Sequence, residues 1–491
     1  MLVINKKTGG YFKNTSIYKL SFFFLAIRII KTHASSGVFD AIWYKNKYQI
    51  SGINPLLHFA IIGIHQGKYP NSCFDRGSYI VMNPDIALKK MDPLIDYLFR
   101  GWWEKKSMSP ADHLQSMLSK VIIPEQRKIQ NTEKLNLECL DILWVIPDFR
   151  PGLGGHMTIF RMVSYLESKG HRVSIAINDP THHRTSTEVI ASINKSFFPF
   201  NGRVTLINNE LPELKGDAVI ATDRFSCYVV QKLTGFRRKF YFVLDHETEF
   251  YPMGTEALIA ENTYSMGFDF LSCGEWLHRK MTLNYGAWSS KWNLAHDPNI
   301  YFPAATESRA QSTNRVCFYA RHSTPRRAVE LGFKAFDILA KRGVSFEVDM
   351  LGCDLANIDL PYKYKSYPLL DASALAALYR EAAIGMVFSA TNHSIMNKEM
   401  MACGLPVIDL DVESVRAVFP EGVLKRTKPH PIAIADALEE LLNDSSKRVS
   451  LSKLGANFAN QFCWEDSGKI IEKAICERIT KTMEGSIPSN A

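Results

Sequence analysis

The stretch WVIPDFRPGLGGHMTIFRMVSYLESKGHRVSIAI, Trp144 to Ile177, decides the fold. It passes from an apolar strand through a glycine-rich turn into an amphipathic helix, and on into a second apolar strand. That is one unit of a parallel sheet, because parallel neighbours need a crossover helix between them. Gly154-Gly155 lets the backbone approach a ligand closely, and the helix that follows offers free N–H groups and the positive end of its dipole. The dinucleotide fingerprint is absent: its third glycine falls on Met157, so an NAD reading is weak.

Working outward, RVSIAIND, DAVIATD and KFYFVLDHE continue the strand–helix alternation, which restarts at NRVCFYARHS (Asn314–Ser323). SFEVDMLGCD, IGMVFSAT and LPVIDLD then carry a second round. The pattern predicts an α/β chain with two Rossmann-like doubly wound domains, 141–305 and 306–491, the second closing on an amphipathic terminal helix. A length of 491 residues suits this division, being too long for one core.

Upstream lies a repeat. FDAIWYKNKYQISGINPLLHFAIIGIHQGKYP begins at Phe39 and FDRGSYIVMNPDIALKKMDPLIDYLFRGWWEKKSMSP at Phe74. Phe39-Asp40 matches Phe74-Asp75, Tyr44 matches Tyr79, Pro55-Leu56 matches Pro93-Leu94, and Gly63 matches Gly101. Each copy reads as two short helices, the second started by proline, so residues 39–110 form a helical repeat module in which two copies bury each other's apolar faces. Residues 111–140 read as a linker helix. In the tail, 1–38, SFFFLAIRII (Ser21–Ile30) is interrupted by Arg28 and falls short of the roughly 20 apolar residues of a spanning helix. It reads as an interfacial or packing helix rather than an export signal.

A formal charge of +8 favours anionic partners without singling out nucleic acid. Nine cysteines, none in a CxxC pair, read as thiols of a reducing cytoplasm. No cluster has metal-ligand spacing. Asp409-Leu410-Asp411 reads as a loop cap rather than a metal motif, and His182-His183 reads as solvated.

The second half carries the chemistry. FYARHSTPRRAVELGFKAF puts Arg321 at a strand end and Arg326-Arg327 at the start of the next helix. Ligands bind at strand C-terminal ends in open α/β sheets, and arginine forks grip phosphate oxygens. Cations at a helix N-terminus oppose its dipole, which an anionic ligand offsets. SATNHSIMNKEMMACGLPVI then leads from a strand end into a helix starting near Ser394, whose N–H groups face an anion. Glu399, one to two turns in, is suited to accept from both hydroxyls of a ribose.

These motifs, in this order, resemble the retaining GT-B glycosyltransferases of family four, over roughly Asp141 to Glu472. That family carries two glutamates eight apart, the second within a LEAMACGxPVI-like run. Glu399 matches the second, whereas the first falls on Thr391, a departure shared with a subgroup resembling bacterial rhamnosyltransferases. LDHETEFYPMG (Leu244–Gly254) resembles that subgroup's QDFEPxFYPxG segment. The helical repeats resemble modules attached to bacterial surface-polysaccharide glycosyltransferases.

The resemblance implies a cytoplasmic glycosyltransferase that moves a sugar from a nucleotide-diphosphate donor to a growing surface glycan, with retention. Its acceptor is a glycan or lipid-linked glycan, and its N-terminal region admits peripheral contact with the inner membrane face. Carried over, Arg321 and Arg326 hold the donor diphosphate, Ser394 and Glu399 the nucleotide, and Gly154-Gly155 face the cleft. Asp245, His246 and Glu247 stand at a strand end on the acceptor side as candidate catalytic residues. No cofactor or metal is expected, since the arginines supply the charge that other transferases draw from a metal, each worth around 3 kcal/mol. The missing carboxylate at Thr391 suits a deoxy sugar such as rhamnose. Two other readings stand beside this one: a non-catalytic scaffold that binds sugar nucleotides, and a nucleotide-sugar epimerase.

Overall fold

The computed structural model describes residues 39–98 and 135–484, apart from 65, 73, 84–85, 87–91, 153, 209–210, 305–313 and 356–357. The Ser21–Ile30 segment, Gly101 and most of the expected linker helix lie outside the described residues. The chain divides into two compact units, Met1–Ile123 and Pro124–Ala491.

In the first unit the repeat is visible bond by bond. Helix α1 (Ala41–Tyr48) is capped by Asp40, which accepts from Trp43 N at 2.8 Å. Helix α2 (Pro55–His58), continued by a wide turn over Phe59–Gly63, is capped by Asn54. The second copy repeats both devices: Asp75 caps α3 (Arg76–Met82) through Ser78 N at 2.7 Å, and Asp92 caps α4 (Pro93–Asp96). Each copy also buries a tyrosine of its first helix whose hydroxyl meets the second helix of its own pair. Tyr44 meets His58 Nδ1 at 3.0 Å, and Tyr79 donates to Asp96 at 2.9 Å. The two copies share one aromatic core of Tyr44, Phe59, Phe74, Tyr79 and Tyr97. Gly63 is required: a Cβ there would stand 2.1 Å from the Tyr44 hydroxyl.

The second unit holds two parallel sheets. The first comprises β1 (Asp141–Pro147), β2 (Arg172–Asn178), β3 (Arg203–Ile207), β4 (Lys215–Ala221), β5 (Gly235–Val243), β6 (Asp269–Cys273) and β7 (Ser289–Trp292). Its order is β3-β2-β1-β4-β5-β6-β7. The second comprises β8 (Arg315–Tyr319), β9 (Glu347–Leu351), β10 (Lys363–Tyr367), β11 (Ile384–Met386), β12 (Val407–Leu410) and β13 (Lys425–Thr427), in the order β10-β9-β8-β11-β12-β13. In both, the order reverses beside the first strand, leaving a crevice at the C-terminal ends of β1 and β4 and of β8 and β11. Central strands such as β1 are buried on both faces, which explains their unbroken apolar runs.

Helices α5 (Gly154–Ser168), α6 (Ser186–Ser196), α7 (Arg224–Lys232), α8 (Thr255–Asn262) and α9 (Gly274–Arg279) belong to the first sheet. Those of the second are α10 (Val329–Lys341), α11 (Ala372–Glu381), α12 (Ile395–Ala402), α13 (Glu413–Val418), α14 (Pro431–Asn443) and α15 (Ser445–Ala459). The terminal helix α16 (Trp464–Glu484), assigned by sequence to the second domain, instead packs on the first. Ile471, Ala474, Ile475 and Ile479 form one stripe buried in the first domain's core. Glu472 receives the Tyr165 hydroxyl at 3.1 Å, and Arg478 pairs with Asp269 at 2.8 Å. Among the described residues no helix is long and apolar enough to cross a membrane.

Candidate functional site

The crevice is built from strand ends of both domains. On the first, Asp148 follows β1 and organises the loop after β2. It accepts from Thr181 N at 2.7 Å and His183 N at 3.1 Å, and meets the His183 ring at 2.6 Å. Burial pushes its carboxyl up, but these hydrogen bonds outweigh that and hold it at about 2. His183, expected in solvent, is thus held by Asp148; His182 is exposed. With the loop fixed, α5 opens at Gly154. A side chain at Gly154 would meet nothing within 4 Å, and one at Gly155 would face Leu244 at 3.7 Å.

Leu244 leads into Asp245, where the two domains meet. Asp245 Oδ2 accepts from Thr391 Oγ1 at 2.9 Å, and Oδ1 accepts from Asn392 N at 3.0 Å. The Asn392 amide donates in turn to Leu244 O at 2.8 Å. Arg326 Nε stands 3.5 Å from Asp245 Oδ2. Burial raises the Asp245 carboxyl, opposed by Arg326, Asn392 and Thr391. The neighbours of Asp245 point elsewhere. The His246 ring is held at 2.8 Å by Tyr285 OH and at 3.1 Å by Glu249, stacked on Tyr264. Glu247 accepts from Arg224 N at 3.0 Å and the Tyr241 hydroxyl at 3.2 Å, both inside the first domain. Burial and the nearby Asp223 carboxylate push Glu247 up to about 8. Of the three candidate catalytic residues, the structure brings Asp245 to the domain boundary and ties His246 and Glu247 into the first domain.

On the second domain, Pro325–Arg327 forms one tight turn ahead of α10, closed by Ala328 in the left-handed region at φ +43°. Arg321, at the end of β8, makes no ion pair among the described residues. Arg326 lies over the Phe250 ring at 4.3 Å, and its buried Nε has no hydrogen-bond acceptor. Arg327 donates to Phe388 O at 3.3 Å, and burial lowers its pKa. Ser394 caps α12 by accepting from Met396 N at 3.3 Å. One turn on, Glu399 accepts from the Tyr301 hydroxyl and lies in the field of Arg161. Burial pushes Glu399 up to about 7 against both.

Several contributors escaped the sequence reading. Arg161, on α5, is sandwiched between Phe198 at 4.5 Å and Trp464 at 4.8 Å. Its signal was a lone arginine among Ile159, Phe160, Met162 and Val163. Asn392 and Tyr301 had none. Asp409, read as a loop cap, ends up inside β12, buried, accepting from Asn397 Nδ2 at 2.6 Å and from its neighbour Leu410 N at 2.7 Å. Burial pushes it to about 7. Asp411 pairs with Arg416 at 3.1 Å. Among the described residues no group of three metal-ligating side chains comes together.

Comparison with known proteins bears on both parallel-sheet domains. The family model described as "WsaF, C-terminal domain" matches residues 314–439. The O-antigen biosynthesis protein RfbC of Myxococcus xanthus is 27% identical over 334 residues, which is 66% of this chain and 26% of RfbC. The chain thus spans about a quarter of that relative's length. Among solved structures, sucrose-phosphate synthase from Thermosynechococcus elongatus superposes with a TM-score of 0.52 at 13% identity, over 71% of this chain and 100% of the synthase chain. Anabaena HepE, in complex with UDP and glucose, gives 0.50 at 13% identity, over 70% of this chain and 100% of its own. The two parallel-sheet domains of this chain therefore have the GT-B architecture seen in those structures.

Proposed function

We propose that the chain is a glycosyltransferase that moves a sugar from a nucleotide-diphosphate donor to a growing cell-surface glycan at the inner face of the cytoplasmic membrane. The observation that carries this reading is the set of guanidinium groups at the C-terminal edge of the second sheet. Arg321 has no ion-pair partner among the described residues, and the Arg326 Nε makes no hydrogen bond, its ion-pair partner Asp245 Oδ2 standing 3.5 Å away. A buried donor left without a hydrogen bond costs about 1–3 kcal/mol, which an oxygen of a ligand gripped by these guanidinium groups would help to offset. A diphosphate supplies several such oxygens and the matching charge.

In the transfer, the sugar–phosphate bond breaks, positive charge builds on the sugar and negative charge on the leaving diphosphate. In this reading Arg321, Arg326 and the N-terminus of α12 stabilise that leaving charge in the role a metal ion plays in other transferases, each charge contributing around 3 kcal/mol. Glu399 receives the ribose hydroxyls. Support for the glycan comes from the likeness to an O-antigen biosynthesis protein, and for the donor from the shared fold with a protein that holds UDP and glucose. A deoxy sugar such as rhamnose and a retaining outcome rest on the resemblance of Leu244–Gly254 and on Thr391 standing where a glutamate is usual.

A thermal-shift screen of nucleoside diphosphates, followed by incubation with radiolabelled nucleotide sugars and lipid-linked acceptors, tests the proposal. A ligand that binds only the folded protein raises its melting temperature. Transfer of label supports the reading; hydrolysis and transfer with none of them overturns it.

A further inference from the structure

Helix α2 and the wide turn after it are apolar on every side. From Pro55 to Ile64 the one polar side chain is His58, and its ring is taken up by the buried Tyr44 hydroxyl at 3.0 Å. Phe59 and Ala60 lie in the shared core. Away from it, Leu57 and Ile61, one turn apart, are 37% and 49% exposed, and the adjoining Ile62 is 38% exposed. A helix that is apolar all round belongs in a core. In the second copy the matching helix is better covered: Leu94 and Asp96 are buried, whereas their counterparts Leu56 and His58 are half-buried.

The sequence upstream carries a matching pattern. Phe39-Asp40 and Phe74-Asp75 stand 35 residues apart, and the same step back from residues 56–65 falls on residues 21–30, outside the described residues. SFFFLAIRII then lies on LLHFAIIGIH, with Phe24 at Phe59, Ile27 at Ile62 and Ile29 at Ile64, and both runs lead into a Phe-Asp pair. Ser36 stands at Asn71, whose side chain accepts from Phe74 N at 2.9 Å, and serine also offers a side-chain oxygen. The differences between the runs have a local reason. The Tyr44 hydroxyl holds position 63 to glycine, and His58 is that hydroxyl's partner. At the position matching Tyr44 stands Gly9, which has no hydroxyl, so Arg28 replaces Gly63 and Phe23 replaces His58 without conflict. Leu20 stands at Pro55, so the proline start is not repeated.

We infer that residues 21–30 are a third, N-terminal half-copy of the repeat, and that they cover Leu57, Ile61 and Ile62 on α2. The chain enters the module at the right place, because Phe39 is stacked on Phe59 of the α2 turn at 5.2 Å. Eight residues, 31–38, connect the half-copy to Phe39. Extended, they span about 25 Å, enough to reach either end of the roughly 14 Å run from Pro55 to Gly63. In stacked repeats each unit buries the apolar face of its neighbour, and a unit at the end of the row needs a cover of its own. The apolar run ahead of the module is then part of the module's core, and the exposed side of α2 is its seat. The inference stands apart from the transfer reaction.

Thiol labelling of the full chain with a maleimide tests this, each site being read by peptide mass spectrometry. Leu57→Cys is compared with Ile42→Cys, a position 76% exposed. The thiol at position 57 is expected to react about tenfold or more slowly than the thiol at 42, as for a covered site. Adding Phe24→Asp and Ile27→Asp brings the two rates together. A second measurement disrupts nothing: Phe22→Cys, Phe23→Cys, Ala26→Cys and Ile27→Cys are each paired with Ile61→Cys and oxidised mildly. At least one pair is expected to close an intrachain disulfide, and none does so when paired with Ile42→Cys instead. If the two aspartates unfold the module, the disulfide pairs decide alone. Fast labelling at 57 with no crosslink overturns the inference and leaves the face open. Slow labelling that is relieved by dilution, with crosslinks joining two chains, overturns it in favour of a second copy of this chain. Labelling that is fast in solution and slow only on phosphatidylglycerol vesicles overturns it in favour of a lipid surface.

Discussion

The ammonium of Lys398 rests 2.7 Å from the carbonyl oxygen of Leu294 and 3.4 Å from the centre of the Phe462 ring, fully buried. It ties α12 to the segment that crosses between the two sheets. Burial lowers its pKa to about 7. Between pH 7 and the ordinary lysine value the unfolded chain therefore holds a proton that the folded chain lacks, so stability gains with rising pH. Lys398→Met removes this dependence. In urea unfolding, the wild type should gain roughly 3 kcal/mol over the variant between pH 7 and pH 10. Parallel stability curves for the two proteins would refute the assignment.

Glu399 gives the opposite sign. Its carboxyl is pushed up to about 7 by burial, so the stability its neutral form contributes is fully present below the ordinary glutamate value. That contribution is lost as pH rises through 7. Ribose hydroxyls need the ionised form as acceptor. Nucleotide affinity is therefore expected to rise about tenfold from pH 6 to pH 8 in the wild type and to stay flat in Glu399→Gln, measured by calorimetry. The same slope in both proteins would count against ribose binding by Glu399.

Gly63→Ala probes the helical repeats. The added methyl meets the Tyr44 hydroxyl at 2.1 Å, and Tyr44 is held by His58, so relief requires moving a buried ring. Overpacking of this kind costs about 1–3 kcal/mol. The variant should lose the protease resistance of residues 39–98 while binding nucleotide like the wild type. Unchanged proteolysis would show that this turn is not packed as described.

Chelation addresses the metal. Asp409 is committed to Asn397 and Leu410, and Asp411 to Arg416, so neither carboxylate is presented as a ligand pair. Sugar transfer is expected to persist in EDTA, and Arg321→Ala to lower it by around a hundredfold, as when one charge-stabilising donor is removed. Complete loss of transfer in EDTA would reverse the roles assigned to arginine and aspartate.

How much was legible follows the range of the interaction. The four helix caps of the repeats, Asp40, Asn54, Asp75 and Asp92, act within three residues of themselves, and the repeat pattern located each pair of helices. The central strands announced themselves as apolar runs because both their faces are covered. Strands β3, β10 and β13 lie at or near sheet edges, with mixed burial, and left no such run. His246 and Glu247 shared a motif with Asp245, yet side-chain direction separated them: the His246 ring reaches Tyr285, 39 residues on, and Glu247 turns back to Tyr241 on the preceding strand.

By itself the sequence determined the local units: two rounds of strand, turn and helix, a paired helical module, arginines at strand ends and a glutamate one turn into a helix. Hydrophobic period and capping chemistry act over a few residues, so they can be read from a string. Only the tertiary structure decided that α16 returns to the first domain, that Arg161 and Tyr301 converge on Glu399, and that Asp245 meets Thr391. That last contact joins residues 146 positions apart. Such pairings form because two packed domains bring strand ends face to face, and no pattern along the chain encodes the distance between them.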